Sequence, residues 1–248
     1  MTTQKAVVLY DLKDARVVDN RLIPKLRDGY VLLKTIAVAL NPADWKHVDM
    51  DLAAPGCLLG CDCAGIVEEI GTGVTKPLKK GDIVGAFTHG GNKLQPENGV
   101  FAEYIVVKGD LVLRKPAGLG SDEMSTLPVA LYTVGQGMYQ AMKLPMPTKP
   151  SKERESILIY GGSTSTGTVA IQFAKLSGLT PITTCSPHNF DIVKRAGAAA
   201  AFNYQDPDCA KKIREYTNNR LMYAFDTIST PESARICADA LSTTTGTK

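Results

Sequence analysis

Two rhythms of apolar and polar positions divide the chain. In roughly the first 150 residues, short β-branched runs are broken by Gly, Pro, Asn and Asp. Ala6–Tyr10, Tyr30–Leu40, Ala64–Ile70, Asp82–Ala86 and Ala102–Val107 each carry strand patterning. Helical signals are sparse there. Ser121–Leu127 opens one, with Ser121 expected as its cap and Asp122 and Glu123 in its first turn. Leu127–Met142 has helical spacing, weakened by Gly135 and Gly137. The proline-rich, basic stretch Leu144–Arg154 is expected to be a linker.

Beyond it the pattern changes. Ser156–Tyr160 is a continuous apolar run, Gly161–Gly167 a turn, and Thr168–Ser177 a helix that Gly178 is placed to end. Pro181–Cys185, Ala200–Asn203 and Met222–Ile228 repeat the strand signal. Phe190–Ala196, Pro207–Tyr216 and Pro231–Leu241 repeat the helical one. This alternation predicts a parallel sheet covered by helices, the doubly wound α/β architecture. The fold class is therefore β-rich followed by α/β, with domains at 1–150 and 151–248. Such sheets have about six strands. The alternation here stops at four, so the sheet is expected to be cut short and the polar tail disordered.

Composition narrows the function classes. Apolar residues make up 44% and charged residues 21%, which fits a soluble globular protein. A net charge of +3 gives no pull toward nucleic acid or an anionic membrane. No apolar stretch is long enough to span a bilayer, and the N-terminus lacks a secretory pattern. A cytoplasmic monomer is expected. The cysteines at 57, 61, 63, 185, 209 and 237 form no Cys-x-x-Cys pair and are expected to be free thiols. Cys57, Cys61 and Cys63 fit no common metal spacing and are expected to be buried small hydrophobes, with no metal bound.

The chemistry concentrates at Gly161–Gly167. A glycine-rich turn between a buried strand and a helix N-terminus presents free amides and the positive end of the helix dipole to a phosphate. Ser163, Thr164, Ser165 and Thr166 can add hydrogen bonds. The end of the second strand selects the cofactor, because a carboxylate there accepts from the ribose 2′-hydroxyl of NAD. This chain has Ser186, Pro187, His188 and Asn189 instead, and no carboxylate before Asp191. NADPH is the expected cofactor.

These residues carry a resemblance. The chain resembles the medium-chain dehydrogenase/reductase superfamily, and within it the trans-acting enoyl reductases of fungal polyketide synthases. The matching segments are Asn41–Lys46, Gly60–Gly65, Leu127–Ala130, the Ser/Thr-rich turn and Ser186–Asn189. The resemblance implies a GroES-like first domain and a Rossmann-type second one. Where zinc-dependent relatives carry a ligand cysteine, this chain has the Asn41–Lys46 segment, and Cys61 replaces their histidine.

The resemblance also implies roles. Ala43, Asp44, Trp45 and Lys46 are expected to approach the cofactor, with Lys46 as the catalytic group that binds phosphate or stabilises an enolate. Val129, Ala130, Leu131, Tyr132, Thr133, Val134, Gly135 and Gln136 are expected to line the substrate pocket. Tyr132 and Tyr139 are considered as proton donors, and Tyr204 is expected near the adenine. His47 and His89 receive no role. The implied substrate is a polyketide enoyl thioester on the acyl carrier domain of a polyketide synthase, or of a synthase fused to a peptide synthetase. Two alternatives stand beside this: a stand-alone quinone or enone reductase, and a non-catalytic NADPH-binding remnant.

Overall fold

The computed structural model describes residues 2–244. The chain divides after Val129 into two units, each with its own core.

In the first unit, β1 (Thr3–Asp11) and β2 (Asp14–Leu22) form an antiparallel hairpin. The sequence pattern missed β2. Its residues are mostly exposed, so pairing with β1 rather than burial defines it. Next come β3 (Tyr30–Ala39), helix α1 (Pro42–Asp49), β4 (Asp62–Ile70), β5 (Ile83–Phe87), β6 (Tyr104–Lys108), β7 (Leu113–Arg114) and helix α2 (Ser121–Ser125). The strands form an antiparallel sheet in the order β6-β3-β4-β5-β7. Val31 and Leu33, two apart on β3, point into the core with Cys63, Val67, Val84 and Ile105. The cap of α2 differs from expectation. Gly120 is extended and caps the helix, its amide donating to the Glu123 carboxylate at 2.7 Å, while Ser121 is already helical.

Helix α3 (Pro128–Val134) runs on into a wide π-helical turn, Gly135–Ala141. The expected helix over Leu127–Met142 therefore exists but unwinds where the two glycines lie. Leu144–Arg154 packs rather than links. Leu144 is buried with its amide on Met138 O at 3.0 Å, and the Ser151 amide donates to Ser177 O at 2.9 Å. These contacts put the division at residue 129 instead of 150.

The rest of the second unit alternates strands β8 (Ser156–Tyr160), β9 (Thr180–Cys185), β10 (Ala200–Asn203) and β11 (Tyr223–Asp226) with helices. The helices are α4 (Ser165–Leu176), α5 (Phe190–Ala196), α6 (Cys209–Tyr216) and α7 (Pro231–Ala240). All pairs are parallel, in the order β10-β9-β8-β11. The period of two along β8 splits the core. Ile157 and Ile159 pack with residues of α4 and α5, while Leu158 and Tyr160 pack with those of α6 and α7. The strand order reverses between β8 and β11. In such sheets the crevice at that switch, at the C-terminal strand ends, is where ligands bind.

The tail expected to be disordered falls partly outside the described residues, at 245–248. Its first residues are tied down: the Ser242 amide donates to Leu221 O at 2.8 Å, and the Thr243 amide to Asn219 Oδ1 at 3.0 Å. Among the described residues, no helix is long and apolar enough to cross a membrane.

Candidate functional site

The turn after β8 closes tightly onto the start of α4. Gly161 sits at φ 82°, a conformation that side chains disfavour. A Cβ on Gly167 would lie 2.2 Å from Gly161 O, so only glycine lets α4 close onto the turn. Thr164 caps α4, its hydroxyl accepting from the Gly167 amide at 2.9 Å. The Ser165 and Thr166 amides open the helix with no acceptor among the described residues. Thr227, just past β11, braces the turn from across the switch. Its hydroxyl donates to Tyr160 O at 2.8 Å and lies 3.1 Å from that of Thr164. Thr164→Ala removes the cap and this contact. The expected loss of stability is about 1–2 kcal/mol, read as a lowered midpoint in thermal or urea unfolding. An unchanged midpoint would show that the cap is dispensable.

Beside the turn lies a cleft of about 270 Å³. Ser163, Thr164, Ser186 and Tyr204, all expected from sequence, meet there. Tyr160, Thr184, Ile228, Thr230 and Glu232 also line it, and sequence reasoning missed them. The signal for the last three was the Thr230-Pro231-Glu232 helix start behind a strand. The others are strand ends, indistinguishable from core in sequence. Burial pushes the Tyr160 hydroxyl up to about 12, with Cys209 and Glu232 adding to the shift. The other residues of the second unit expected at the cofactor do not line the cleft. Ser165 and Thr166 are in the first turn of α4. Pro187, His188 and Asn189 make one 3-10 turn ahead of α5. A dinucleotide pyrophosphate fits the observed cradle of free amides, hydroxyls and close-packed glycine.

The Val129–Gln136 segment, expected at the substrate pocket, lies in α3 and the π-helical turn after it. Ala130 and Val134 are buried in the core of the second unit, and Leu131 packs against it. Their helical spacing turns them toward that core and away from open space. Thr133 and Gln136 are exposed, and Gly135 faces no neighbour. Burial raises the Tyr132 hydroxyl to about 12. Tyr139 is engaged by Ser177 Oγ at 2.8 Å, and burial raises it too.

In the first unit, the Asn41–Lys46 motif forms the start of α1, with Asn41 as N-cap and Pro42 in the first turn. Asp44 is buried, and its carboxylate accepts from the Asn41 amide at 2.7 Å. That bond gives it a structural task at the helix start. Burial raises its carboxyl above the usual range, against the pull of Asn41, Cys61 and His47. Trp45 and Lys46 are exposed and Ala43 is half-buried. The Ala43 carbonyl lies 2.6 Å from His47 Nδ1. Asp62, at the start of β4, is 1% exposed. It accepts from Asn41 Nδ2 at 3.1 Å and from the Val129 amide at 2.8 Å. Desolvation raises its carboxyl to about 6, and nearby Asp44 adds to the shift. All six cysteines are buried and free. Among the described residues, no group of three or more His, Cys, Asp or Glu is placed to hold a metal.

Comparison with known proteins agrees with this architecture. Residues 27–117 match the alcohol dehydrogenase GroES-like domain, and residues 165–247 the family described as zinc-binding dehydrogenase. The chain is 55% identical to the trans-enoyl reductase TOXD of Cochliobolus carbonum, over 99% of this chain and 82% of that protein. It is 47% identical to the trans-enoyl reductase resD of Aspergillus sclerotiorum, over 94% of this chain and 69% of the relative. Among solved structures, an alcohol dehydrogenase superfamily protein from Novosphingobium aromaticivorans superposes with a TM-score of 0.81 at 24% identity, over 96% of this chain and 70% of that one. Mycobacterial Rv1454c complexed with NADPH superposes with a TM-score of 0.77 at 20% identity, over 96% and 71%. With a GroES-like first unit, a Rossmann-type second one and this identity to named relatives, the chain belongs to the trans-enoyl reductases of the medium-chain dehydrogenase/reductase superfamily.

Proposed function

We propose that this protein is an NADPH-dependent enoyl reductase that acts in trans on an α,β-unsaturated acyl thioester carried by a polyketide synthase. The observation that carries this reading is the 55% identity to a trans-enoyl reductase across nearly the whole chain. The cleft at the strand switch supports it. A bound nicotinamide cofactor supplies a hydride to the β-carbon. The protein's part is to hold and orient. The Ser165 and Thr166 amides and the α4 dipole would hold the pyrophosphate. Ser186, at the end of β9, would donate to a 2′-phosphate, which a carboxylate there would repel. The thioester carbonyl already delocalises the charge that develops on the substrate. Lys46 remains the candidate for stabilising the resulting enolate, on the strength of the family motif.

The test is direct. The purified chain is mixed with NADPH or NADH and a crotonyl thioester on an acyl carrier protein or on pantetheine, and reduced product is measured. Saturated thioester formed with NADPH and poorly with NADH is expected. Turnover of free quinones with no thioester product would favour the quinone reductase reading instead. Binding of NADPH without turnover of either would favour the remnant.

A further inference from the structure

Among the described residues, Glu232, exposed in the first turn of α7, is the one carboxylate lining the cleft. A solvated carboxylate there can accept from a hydrogen-bond donor on the ligand. Its position is fixed from below. Asp226, at the end of β11, accepts from the Ile228 and Ser229 amides at 2.9 and 3.1 Å and from Ser233 Oγ at 2.5 Å. Thr230 caps α7 through the Ser233 amide at 3.1 Å. These bonds lock the loop that presents Ile228, Thr230 and Glu232. They also saturate Asp226, whereas the Glu232 carboxylate has no partner among the described residues.

Opposite stand different groups. Ser186 ends β9, on the far side of β8 from β11. Two strand spacings separate those ends by about 10 Å. Tyr160 ends β8, between them, and its ring lies 6.3 Å from that of Tyr204, which follows β10. The cleft thus has a hydroxyl end, an aromatic and aliphatic middle formed with Ile228, and an acidic end. A phosphorylated ribose suits the first. A flat heterocycle suits the second. The acidic end can accept from a donor on the edge of that heterocycle.

Resting on the dinucleotide-site reading above, we infer that Glu232 reads the base of the cofactor, accepting a hydrogen bond from the exocyclic amino group of adenine. Adenine carries one such donor. Hypoxanthine has a carbonyl oxygen in its place, which a carboxylate repels. Glu232 is therefore a specificity residue for the purine, separate from the Ser186 end that bears on the ribose.

Isothermal titration of the full chain with NADPH and with its hypoxanthine analogue tests this. Wild type is expected to bind NADPH about tenfold more tightly than the analogue. Glu232→Gln can both accept and donate, so it is expected to bind the two within about twofold of each other. Equal binding of both by wild type overturns the inference and leaves the dinucleotide site standing. So does a Glu232→Gln or Glu232→Ala protein that weakens both ligands yet keeps the tenfold preference, since Glu232 would then serve a ribose hydroxyl. If wild type binds neither, the dinucleotide-site reading itself fails. The wild-type comparison needs no variant, so it decides even if the variants do not fold.

Discussion

Gly167→Ala is expected to abolish dinucleotide binding. The new methyl carbon would meet Gly161 O at 2.2 Å and Gly162 Cα at 2.8 Å, both backbone atoms of the phosphate turn. Neither can rotate away as a side-chain tip could. The start of α4 must retreat, and the Ser165 and Thr166 amides move with it. The charge-assisted bonds they would give a pyrophosphate are directional and weaken steeply with misalignment. A fall in NADPH affinity of about a hundredfold or more is expected by titration. Overpacking should also cost about 1–3 kcal/mol of stability. A Gly167→Ala protein that binds NADPH like wild type would remove the Gly161–Gly167 turn from the phosphate site.

The second large effect lies in the first unit, at Asp62. Its carboxyl has a folded-state value of about 6, against an ordinary value near 3.8. Below the ordinary value the group is protonated whether folded or not, and contributes no pH dependence. As pH rises through the window, the unfolded chain releases its proton first and the native state keeps it. Stability therefore falls between about pH 4 and pH 6 and levels off above, by roughly 3 kcal/mol. Asp62→Asn cannot titrate. Its carbonyl can still accept from the Val129 amide, and a flipped Asn41 can accept from its amide nitrogen. The difference in unfolding free energy between wild type and variant should shift by that amount across the window, in favour of the variant at neutral pH. Parallel stability profiles for the two proteins would refute the assignment.

The same residue shows what the sequence could and could not reveal. Asp62 was legible as part of Gly60–Gly65, but its task was not. One oxygen serves Asn41, the other Val129, residues 21 and 67 positions away. Pairings of that range depend on the register of β3, β4 and the chain that follows. Local signals fared better. The strand–turn–helix at Ile157–Leu176 was visible from its apolar period and glycine spacing, although α4 begins at Ser165, three residues before the expected Thr168, because Thr164 caps it. β10 and α5 have the bounds that period and Gly197 imply. β2 was missed because an exposed hairpin arm has no apolar stripe, and α1 because eight residues offer too short a window for helical periodicity.

In the candidate site, the turn proposed to hold a phosphate was legible and so was Tyr204, but Tyr160 and Glu232 were not. Phosphate recognition uses a contiguous loop, whose composition is its signature. The other side of the cleft is assembled from Tyr160, Tyr204 and Glu232, which come from three separate βα junctions. Only the sheet order brings them together. Val129–Gln136 is placed at the substrate by the resemblance and not by its pattern; within the second unit the helical phase of α3 sends Ala130 and Val134 into the core.

The Thr164–Thr227 contact, finally, bears on the entropy of association. A phosphate loop left free in the empty protein must be ordered when ligand arrives, at about 0.5–1.5 kcal/mol for each side chain immobilised. Here the hydroxyls of Thr164 and Thr227 are already engaged with the turn and with each other before any ligand is present. That ordering belongs to folding, so it is not subtracted from affinity.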